Sequence, residues 1–319
     1  MKLLITGASG FIGRYLAASA VARGHEVVAT YLGPSELSVP GVPKDGIQWE
    51  RLSMQDREGV EHLVRTVRPE GVFHLAAQAY AKKAWADPAD TFRTNVLGTI
   101  YLYEALRQEV PHSSTLLAAS GAAYGIPRTL PIAEDAPLNA TNPYGVSKAC
   151  QDMLSAQYAM NFDLRIVRSR LFGTTGPGKT GDALNDFARQ VAALERSPTD
   201  RVLKVGNLDP RRDVSDIRDV IEAMWLVFER GRPLEPVNIG AGQSYSIRWI
   251  AETLVGLARV PVRIEQDPAR LRPTDEPENT ADTTRLRALG FQPKIPLERT
   301  IQEALDHWRA HPDAGLTSR

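Results

Sequence analysis

The sequence of 319 residues lacks the features that are typical of membrane proteins and of disulfide-stabilised secreted proteins. It has a single cysteine, Cys150, so no disulfide can form within the chain. It contains no run of about 18 apolar residues, so we expect no membrane span. The apolar stretch at its start ends at a glycine-rich turn and is too short for the core of a signal peptide. These absences predict a cytoplasmic protein.

An excess of charge of either sign is also missing, since 38 Lys and Arg residues balance 38 Asp and Glu residues. A formal net charge of zero gives no general attraction to nucleic acid or to an anionic membrane surface. Any phosphorylated ligand must therefore be bound by a local site. The length suits two domains or one large one, and no internal repeat or low-complexity segment is visible.

The first half of the chain alternates short apolar strands with helical patterns. Strands are predicted at 2–5, 26–30, 47–52, 71–76, 115–119 and 163–167, and helices at 11–23, 57–67, 94–109 and 143–162. This alternation predicts an α/β fold with a doubly wound parallel (Rossmann) sheet.

The pattern changes after Phe172, where segments 174–180 and 259–277 are rich in Pro, Gly, Asp and Arg. These segments predict loops and short elements of a smaller α/β C-terminal lobe. We expect residues 1–170 and 212–242 to form a dinucleotide-binding domain. Residues 171–211 and 243–319 are expected to form a substrate lobe.

A glycine-rich turn lies between the first predicted strand and the first predicted helix. Its sequence, Gly7-Ala8-Ser9-Gly10-Phe11-Ile12-Gly13, has the spacing G-x-x-G-x-x-G. In a dinucleotide-binding turn the first glycine permits the bend, the second lets the backbone approach a pyrophosphate, and the third lets helix and strand pack closely. The N–H groups of the helix N-terminus then face the anion. A purely structural turn is the alternative, but the strand–turn–helix context favours binding.

The end of the second predicted strand leaves the choice of dinucleotide open. An Asp there would bind the adenine ribose hydroxyls of NAD, and an Arg would suit the 2′-phosphate of NADP, but the chain has Ala29-Thr30-Tyr31. Arg14, in the first helix turn, could reach that phosphate or could be a solvated surface arginine. Since no acid repels a 2′-phosphate, we expect NADP(H), with NAD as the alternative.

A Tyr-x-x-x-Lys spacing opens the last long helix of the first half, after Asn142 and Pro143, which are typical of a helix start. Residues four apart share a helix face, so the Tyr144 phenol and the Lys148 ammonium are expected to project together. The positive charge is then expected to lower the pKa of Tyr144. Ser120 follows the fifth strand and could hydrogen-bond a substrate carbonyl. Taken alone, a Tyr-x-x-x-Lys spacing is common on ordinary helices, where the tyrosine is packed and the lysine is solvated. Most Ser-Gly pairs, likewise, are found in turns.

Together these motifs resemble the extended short-chain dehydrogenase/reductase family of NAD-dependent epimerases and dehydratases. The likeness runs through nearly the whole chain. Besides the glycine turn it rests on His74-Leu75-Ala76-Ala77, Thr94-Asn95-Val96-Leu97-Gly98-Thr99, Ser120 with Tyr124-Gly125, and Asn142-Pro143-Tyr144-Gly145-Val146-Ser147-Lys148.

The resemblance implies roles for single residues. Ser120, Tyr144 and Lys148 would be catalytic beside the nicotinamide, and Asn95 would be an architectural contact near the site. The residues expected to bind the cofactor are Gly7, Ser9, Gly10, Phe11, Ile12, Gly13, Thr30, Ala76, Tyr144 and Lys148. No metal is expected.

Motifs in the second half resemble family members that act on GDP-linked 6-deoxy-4-keto sugars. They are Gly176-Pro177-Gly178 and the segments 186–191, 205–213 and 271–275. The resemblance implies that Ser120 and Asp186 contact the substrate and that Arg212 and Arg272 pair with diphosphate oxygens through their planar guanidinium groups. It implies that Asp275 accepts hydrogen bonds from ribose hydroxyls. A surface ion pair is the alternative for each arginine.

Three positions depart from the family pattern. Ala122 stands where family dehydratases carry a Glu that removes a proton beside the ketone, so elimination of water would lack its base. Gly173 replaces a substrate-contacting Asn, and Ser53 replaces an Asp that meets the adenine. The missing acid favours reduction of a 4-keto group over dehydration.

Two other functions are the alternatives to a reductase. One is a 4-epimerase that retains NAD⁺, and the other is a non-catalytic nucleotide-sensing or scaffold protein.

The long predicted helices at 94–109 and 143–162 carry apolar residues on more than one face. Similar enzymes pair these helices into a four-helix interface between two subunits. The sequence therefore predicts a homodimer.

Overall fold

The computed structural model alternates strands and helices through the first half of the chain, as the sequence predicts. It describes residues 1–33, 45–198, 201–271 and 276–312. The strands are β1 (Lys2–Thr6), β2 (Glu26–Tyr31), β3 (Ile47–Arg51), β4 (Gly71–His74), β5 (Ser114–Ser120), β6 (Ile166–Leu171), β7 (Gly173–Thr175), β8 (Val202–Val205), β9 (Arg211–Asp216), β10 (Pro236–Ile239), β11 (Ser244–Ser246), β12 (Arg263–Gln266) and β13 (Glu278–Asn279). The α-helices are α1 (Phe11–Ala22), α2 (Arg57–Val67), α3 (Ala81–Ala86), α4 (Pro88–Phe92), α5 (Gly98–Glu109), α6 (Pro143–Phe162), α7 (Ala183–Leu194), α8 (Ile217–Arg230), α9 (Ile247–Gly256), α10 (Thr284–Ala288) and α11 (Leu297–Ala310).

The largest sheet is parallel and has seven strands in the order β10-β6-β5-β4-β1-β2-β3. The chain builds outward from β1 to β3 on one side and from β4 to β10 on the other. The strand order therefore reverses between β1 and β4, and a crevice opens there at the carboxyl ends of the strands. The predicted doubly wound fold is confirmed.

Helices cover both faces of this sheet. On one face α1 and α8 pack over Leu3 and Ile5, with Trp225 fully buried among them. On the other face α2, α5 and α6 pack over Leu4 and Val72. Successive residues of a strand point to opposite faces, so a strand that is buried on both faces reads as a continuous apolar run.

A second core lies in the C-terminal half, where α7, α9 and α11 pack against one another and α7 packs on β8. Its buried side chains include Phe187, Leu254 and Trp308. Beside it, β7, β9, β11 and β13 form a four-stranded sheet, and β8 pairs with β12. These are the short elements expected of a smaller lobe.

Two elements differ from their predicted bounds by more than two residues. The strand predicted at 163–167 begins only at Ile166, because Asp163 ends α6 in a left-handed conformation with φ 53° and the chain must first turn back. The helix predicted at 94–109 is part of a longer stretch in which α4 continues through a π-helical turn, Arg93–Leu97, into α5. That stretch begins at Asp87, whose carboxylate accepts the N–H of Asp90 at 2.9 Å.

The longest helix, α6, begins where the sequence predicts. Asn142 accepts the N–H of Gly145 at 2.9 Å, and Pro143 occupies the first helical position. Among the helices in the described parts of the chain, none is both long and apolar enough to cross a membrane.

Candidate active site

The glycine turn joins β1 to α1 at the point where the strand order reverses. Gly7 has φ +69°, and a Cβ atom there would lie 2.7 Å from the Cα of Ala76, just beyond β4. A Cβ atom at Gly13 would lie 2.4 Å from the carbonyl oxygen of Gly7. Because these distances exclude any side chain, glycine is required at both positions.

The N-terminus of α1 fits the pyrophosphate of a dinucleotide. Gly10 precedes the helix, is exposed, and offers no side chain to cap the N–H groups of the first turn. These groups form the partially positive end of the helix, where anions bind. Ser9, Phe11 and Ile12 lie partly exposed around the same turn. The residues present therefore fit NAD(P).

Thr30 supports the turn from inside the protein. Its buried hydroxyl accepts the N–H of Gly7 at 3.0 Å, and its carbonyl oxygen accepts the N–H of Ala8 at 2.9 Å. Ala76 is fixed in a similar way, because its N–H donates to the Thr6 hydroxyl at 3.2 Å. Both residues thus hold the backbone of the turn in position.

Arg14 connects α1 to the Gly-Pro-Gly loop on the other side of the crevice. Its Nη2 donates to the carbonyl oxygens of Pro177 at 3.4 Å and Gly178 at 3.3 Å. Its guanidinium lies 5.1 Å from the centre of the Phe11 ring, and burial lowers the pKa of Arg14. Of the two alternatives for Arg14, these contacts argue against a solvated surface arginine.

Ser120 and Tyr144 meet at the carboxyl end of β5. Burial raises the pKa of Tyr144, and a hydrogen bond with the Ser120 hydroxyl acts in the opposite direction. The Ser120 hydroxyl also accepts the N–H of Ala122 at 3.2 Å. The structure thus brings together the hydroxyl and the phenol that the sequence singles out.

Lys148 lies one turn further along α6 and is only 4% exposed. Its Nζ donates to the carbonyl oxygen of Ala118 at 2.8 Å, and burial lowers its pKa to about 7. The expectation that Lys148 lowers the pKa of Tyr144 is wrong for this structure, because burial disfavours the charged form of both groups. His74, whose pKa is lowered to about 3 by burial and by Lys148, is neutral.

Asn95 is fully buried in the π-helical turn beside α6. Its amide donates to the Ser147 hydroxyl at 2.9 Å and to the carbonyl oxygen of Gln78 at 3.1 Å. Its side-chain oxygen accepts the N–H of Gln78 at 2.7 Å. Asn95 therefore links the segment after β4 to the helix that carries Tyr144 and Lys148.

A cleft of about 1280 Å³ is lined mainly by residues of the C-terminal half. Gly173 lines it and follows Phe172, whose ring would lie 3.2 Å from a Cβ atom on Gly121, the residue after Ser120. The ionisable residues in its lining, Tyr80 apart, are Lys82, Lys179, Asp182, Asp186, Arg189, Arg212 and Arg270. Cations outnumber carboxylates here, which favours an anionic ligand.

Two of the four substrate-binding residues predicted in the second half of the chain line this cleft. Arg212, in β9, donates to the carbonyl oxygen of Glu276 at 2.7 Å. Asp186, in the first turn of α7, accepts hydrogen bonds from two other side chains of the cleft and from Gln190. Arg272 and Asp275 lie outside the described residues.

No motif in the sequence singles out Arg189 or Arg270 as a binding residue, although both line the cleft. Arg189 belongs to the segment 186–191, which carries part of the family resemblance, and Arg270 to an arginine-rich segment expected to be a loop. Their common partner is Asp186, which lies 84 positions before Arg270 in the chain. Sequence spacing cannot reveal such a distant pairing.

The structure gives a reason for one departure from the family pattern. A Cβ atom on Gly173 would lie 2.4 Å from the carbonyl oxygen of Asp213 in the neighbouring strand β9, so no Asn fits there. At another departure, the Ser53 hydroxyl accepts the N–H of Gln55 at 3.2 Å and stabilises the turn before α2.

Comparison with known proteins agrees with this architecture. A family model described as GDP-mannose 4,6 dehydratase matches residues 4–304. GDP-6-deoxy-D-mannose reductase of Pseudomonas aeruginosa is 31% identical over 313 residues, which cover 97% of each chain. UDP-glucose 4-epimerase of Mycolicibacterium smegmatis is 29% identical over 318 residues, covering 97% of this chain and 99% of that protein. The structure of RMD from Pseudomonas aeruginosa complexed with NADPH has a TM-score of 0.82 at 28% identity, covering 97% and 99% of the two chains.

The match to the family model spans nearly the whole chain, from β1 into α11. It includes the glycine turn, Ser120, Tyr144 and, apart from Trp308, the residues that line the cleft. The protein therefore belongs to the extended short-chain dehydrogenase/reductase family, in its GDP-mannose dehydratase- and epimerase-like branch, and is an NAD(P)-dependent nucleotide-sugar enzyme.

Proposed function

We propose that this enzyme reduces the C4 ketone of a nucleoside-diphosphate 6-deoxy-4-keto sugar, with GDP as the favoured nucleotide. The observation that carries most weight is that Tyr144 lies beside Ser120, whose hydroxyl acts to lower its pKa, and that Ala122, bonded to Ser120, stands where family dehydratases have a carboxylate. Reduction needs a hydride and a proton, whereas elimination of water needs a base beside the ketone. The similarity to a GDP-6-deoxy-D-mannose reductase supports the same reaction.

Two residues act on the carbonyl group in this proposal, and a third acts on the tyrosine. The nicotinamide, when bound along the glycine turn, supplies the hydride. Ser120 and Tyr144 donate hydrogen bonds to the C4 oxygen, and Tyr144 transfers its proton as negative charge develops there. The raised pKa of Tyr144 keeps the phenol protonated until that moment. Lys148, in its cationic form, stabilises the tyrosinate that remains.

Cofactor and substrate occupy different parts of the chain in this proposal. Residues 1–170 and 212–242 bind NADP(H), and residues 171–211 and 243–319 hold the nucleotide sugar. The absence of an acid at Ala29-Thr30-Tyr31 favours NADP(H) over NAD, and a similar structure contains NADPH. We also propose that the enzyme is a cytoplasmic homodimer.

A nucleotide-sugar 4-epimerase is the second candidate, with dehydratase chemistry behind it. The similarity to a UDP-glucose 4-epimerase over 97% of the chain favours this alternative. Ser120, Tyr144 and Lys148 would serve it equally well. Such an enzyme would retain NAD⁺ and would need no added reductant.

Mass spectrometry of the nucleotides released from the purified native protein distinguishes these candidates, followed by turnover assays. A reductase is expected to carry no retained NAD⁺ and to oxidise NADPH in step with the loss of the ketone of GDP-4-keto-6-deoxymannose. The same preparation should leave UDP-glucose unchanged. Retained NAD⁺ together with conversion of UDP-glucose to UDP-galactose, without added reductant, would reject the reductase and support the epimerase.

A further inference from the structure

We infer that Arg189 and Arg270, held together by Asp186, bind the diphosphate of the substrate, an inference that rests on the proposed nucleotide-sugar substrate. Asp186 then positions the two arginines instead of contacting the sugar or the ribose itself. All three side chains line the cleft beside Gly173.

One carboxylate holds both guanidinium groups. Arg270 Nη1 donates to Asp186 Oδ2 at 2.9 Å, and Arg189 Nη2 donates to Oδ1 at 3.2 Å. Gln190 Nε2 also donates to Oδ2, at 3.1 Å. Both carboxylate oxygens are therefore engaged by the protein. A guanidinium has five N–H donors, so each arginine keeps donors for an anion.

The backbone that carries Arg270 is fixed against β8. The 3₁₀ turn Pro268–Arg270 follows Asp267, whose N–H donates to the carbonyl oxygen of Val205 at 2.8 Å. A Cβ atom on Gly206 would lie 2.6 Å from the carbonyl oxygen of Arg270, so only glycine permits this close approach. Arg270 is thus held at the cleft wall by contacts of its turn with Val205 and Gly206, which begin the segment 205–213 of the family resemblance.

The charge and shape of this group suit a diphosphate. Arg270 also pairs with Asp267, at 3.8 Å, but the lining of the cleft itself holds five cationic side chains, Lys82 and Lys179 among them, against two carboxylates. The side chains of both arginines are 41% exposed, so a ligand can reach them. Planar guanidinium groups match pairs of phosphate oxygens and form charge-assisted hydrogen bonds with them.

Calorimetric titration of the full-length protein with GDP, UDP and guanosine tests this site. Saturating NADPH keeps these ligands out of the cofactor site. Arg189→Ala and Arg270→Ala should each raise the Kd of the nucleoside diphosphate that binds by roughly 10- to 100-fold, the value of a hydrogen bond to a charged group. The Kd of guanosine should change by less than about twofold. Arg248→Ala, which removes an exposed arginine paired with Asp209 at 3.2 Å outside the cleft, is the control.

An unchanged Kd for the nucleoside diphosphate in both variants overturns the inference. An equal loss for guanosine also overturns it, because the arginines would then contact the nucleoside. If UDP binds instead of GDP and shows the predicted loss, the diphosphate site stands and the proposed preference for guanine fails.

The positioning role of Asp186 is tested by Asp186→Asn in the wild-type protein and in an Arg189→Ala/Arg270→Ala background. A residue that acts through the arginines should change the Kd of the nucleoside diphosphate by about threefold or more in the wild type, and have no effect without them. Weaker guanosine binding in both backgrounds would show direct contact with the nucleoside and would overturn the positioning role.

Discussion

The phenol of Tyr144 is the group expected to give its proton to the substrate. Tyr144→Phe removes the hydroxyl and keeps the ring, so we expect kcat to fall by about 10²–10⁴ while NADPH still binds. Steady-state NADPH oxidation and a cofactor titration measure the two effects. Tyr158→Phe is a matched control on α6, because that hydroxyl donates to Glu104 at 2.7 Å, away from the site. Full activity of Tyr144→Phe would refute the assigned role.

Burial of Lys148 predicts a pH-dependent cost to folding. Its pKa falls from 10.5 to about 7, so between these values the unfolded chain binds a proton that the folded protein does not. The free energy of unfolding therefore has its full value with respect to Lys148 above pH 10.5. It falls as the pH is lowered from 10.5, and the loss is complete once the pH has fallen through about 7. Met does not titrate, so lowering the pH should make Lys148→Met more stable relative to the wild type, by up to about 3–5 kcal/mol.

Urea unfolding of the cofactor-free proteins across this pH range measures that difference. Lys148→Met also leaves the carbonyl oxygen of Ala118 without its donor, but this cost does not vary with pH. A difference in unfolding free energy that stays constant from about pH 6 to about pH 10 would contradict the depressed pKa of Lys148.

The sequence predicted that Ser120 and Tyr144 lie side by side, but not the protonation of the catalytic group. The strand end at Ser120 and the start of α6 were sufficient to predict this pair. The pKa of each group depends on burial by parts of the fold that are distant in sequence. For example, the carbonyl oxygen of Ala118 on β5 accepts a hydrogen bond from Lys148, which lies 30 positions later in the chain. The pairing of Arg270 with Asp186 escaped prediction for the same reason.

At the scale of elements, prediction succeeded where local side chains fix a boundary. α2 spans the predicted 57–67 because Asp56 accepts the N–H of Gly59 at 3.0 Å, and α6 starts at the predicted Asn142-Pro143. The π-helical turn Arg93–Leu97 has no such local signal, because buried bonds from Asn95 to residues outside the turn accompany it. Local sequence therefore does not predict this turn, because its contacts are with residues that are distant in the chain.

The apolar side chains exposed on α6 support the predicted homodimer. Met153 is 64% exposed and Met160 is 68% exposed in the single chain. We expect a dimer by light scattering at micromolar concentration, and Met153→Glu should shift it towards monomer, because burying an unpaired carboxylate is costly. Leu234→Glu, at an exposed site before β10, is the control. A wild-type monomer at these concentrations would contradict the prediction.

At the scale of the whole molecule, the two cores are joined through a buried carboxylate. Asp213, in β9 of the four-stranded sheet, is 1% exposed. It accepts the N–H groups of Ala241 at 2.8 Å and Gly242 at 3.0 Å, in the loop after β10 of the large sheet. It also accepts the N–H of Ala281 at 3.1 Å. Burial outweighs these three bonds and raises the pKa of Asp213 to about 6.

This raised pKa makes the junction sensitive to pH. Because the folded-state pKa of about 6 exceeds the usual 3.8, the stability contributed by Asp213 is full below about pH 4 and is lost as the pH rises through about 6. Relative to Asp213→Asn, which cannot titrate, the wild-type unfolding free energy should fall by about 3 kcal/mol between about pH 4 and pH 7. Urea unfolding of both proteins measures it, with the exposed Asp209→Asn as control. A wild type that instead gains relative stability over this range would mean that the three N–H bonds outweigh burial and hold the carboxylate ionised.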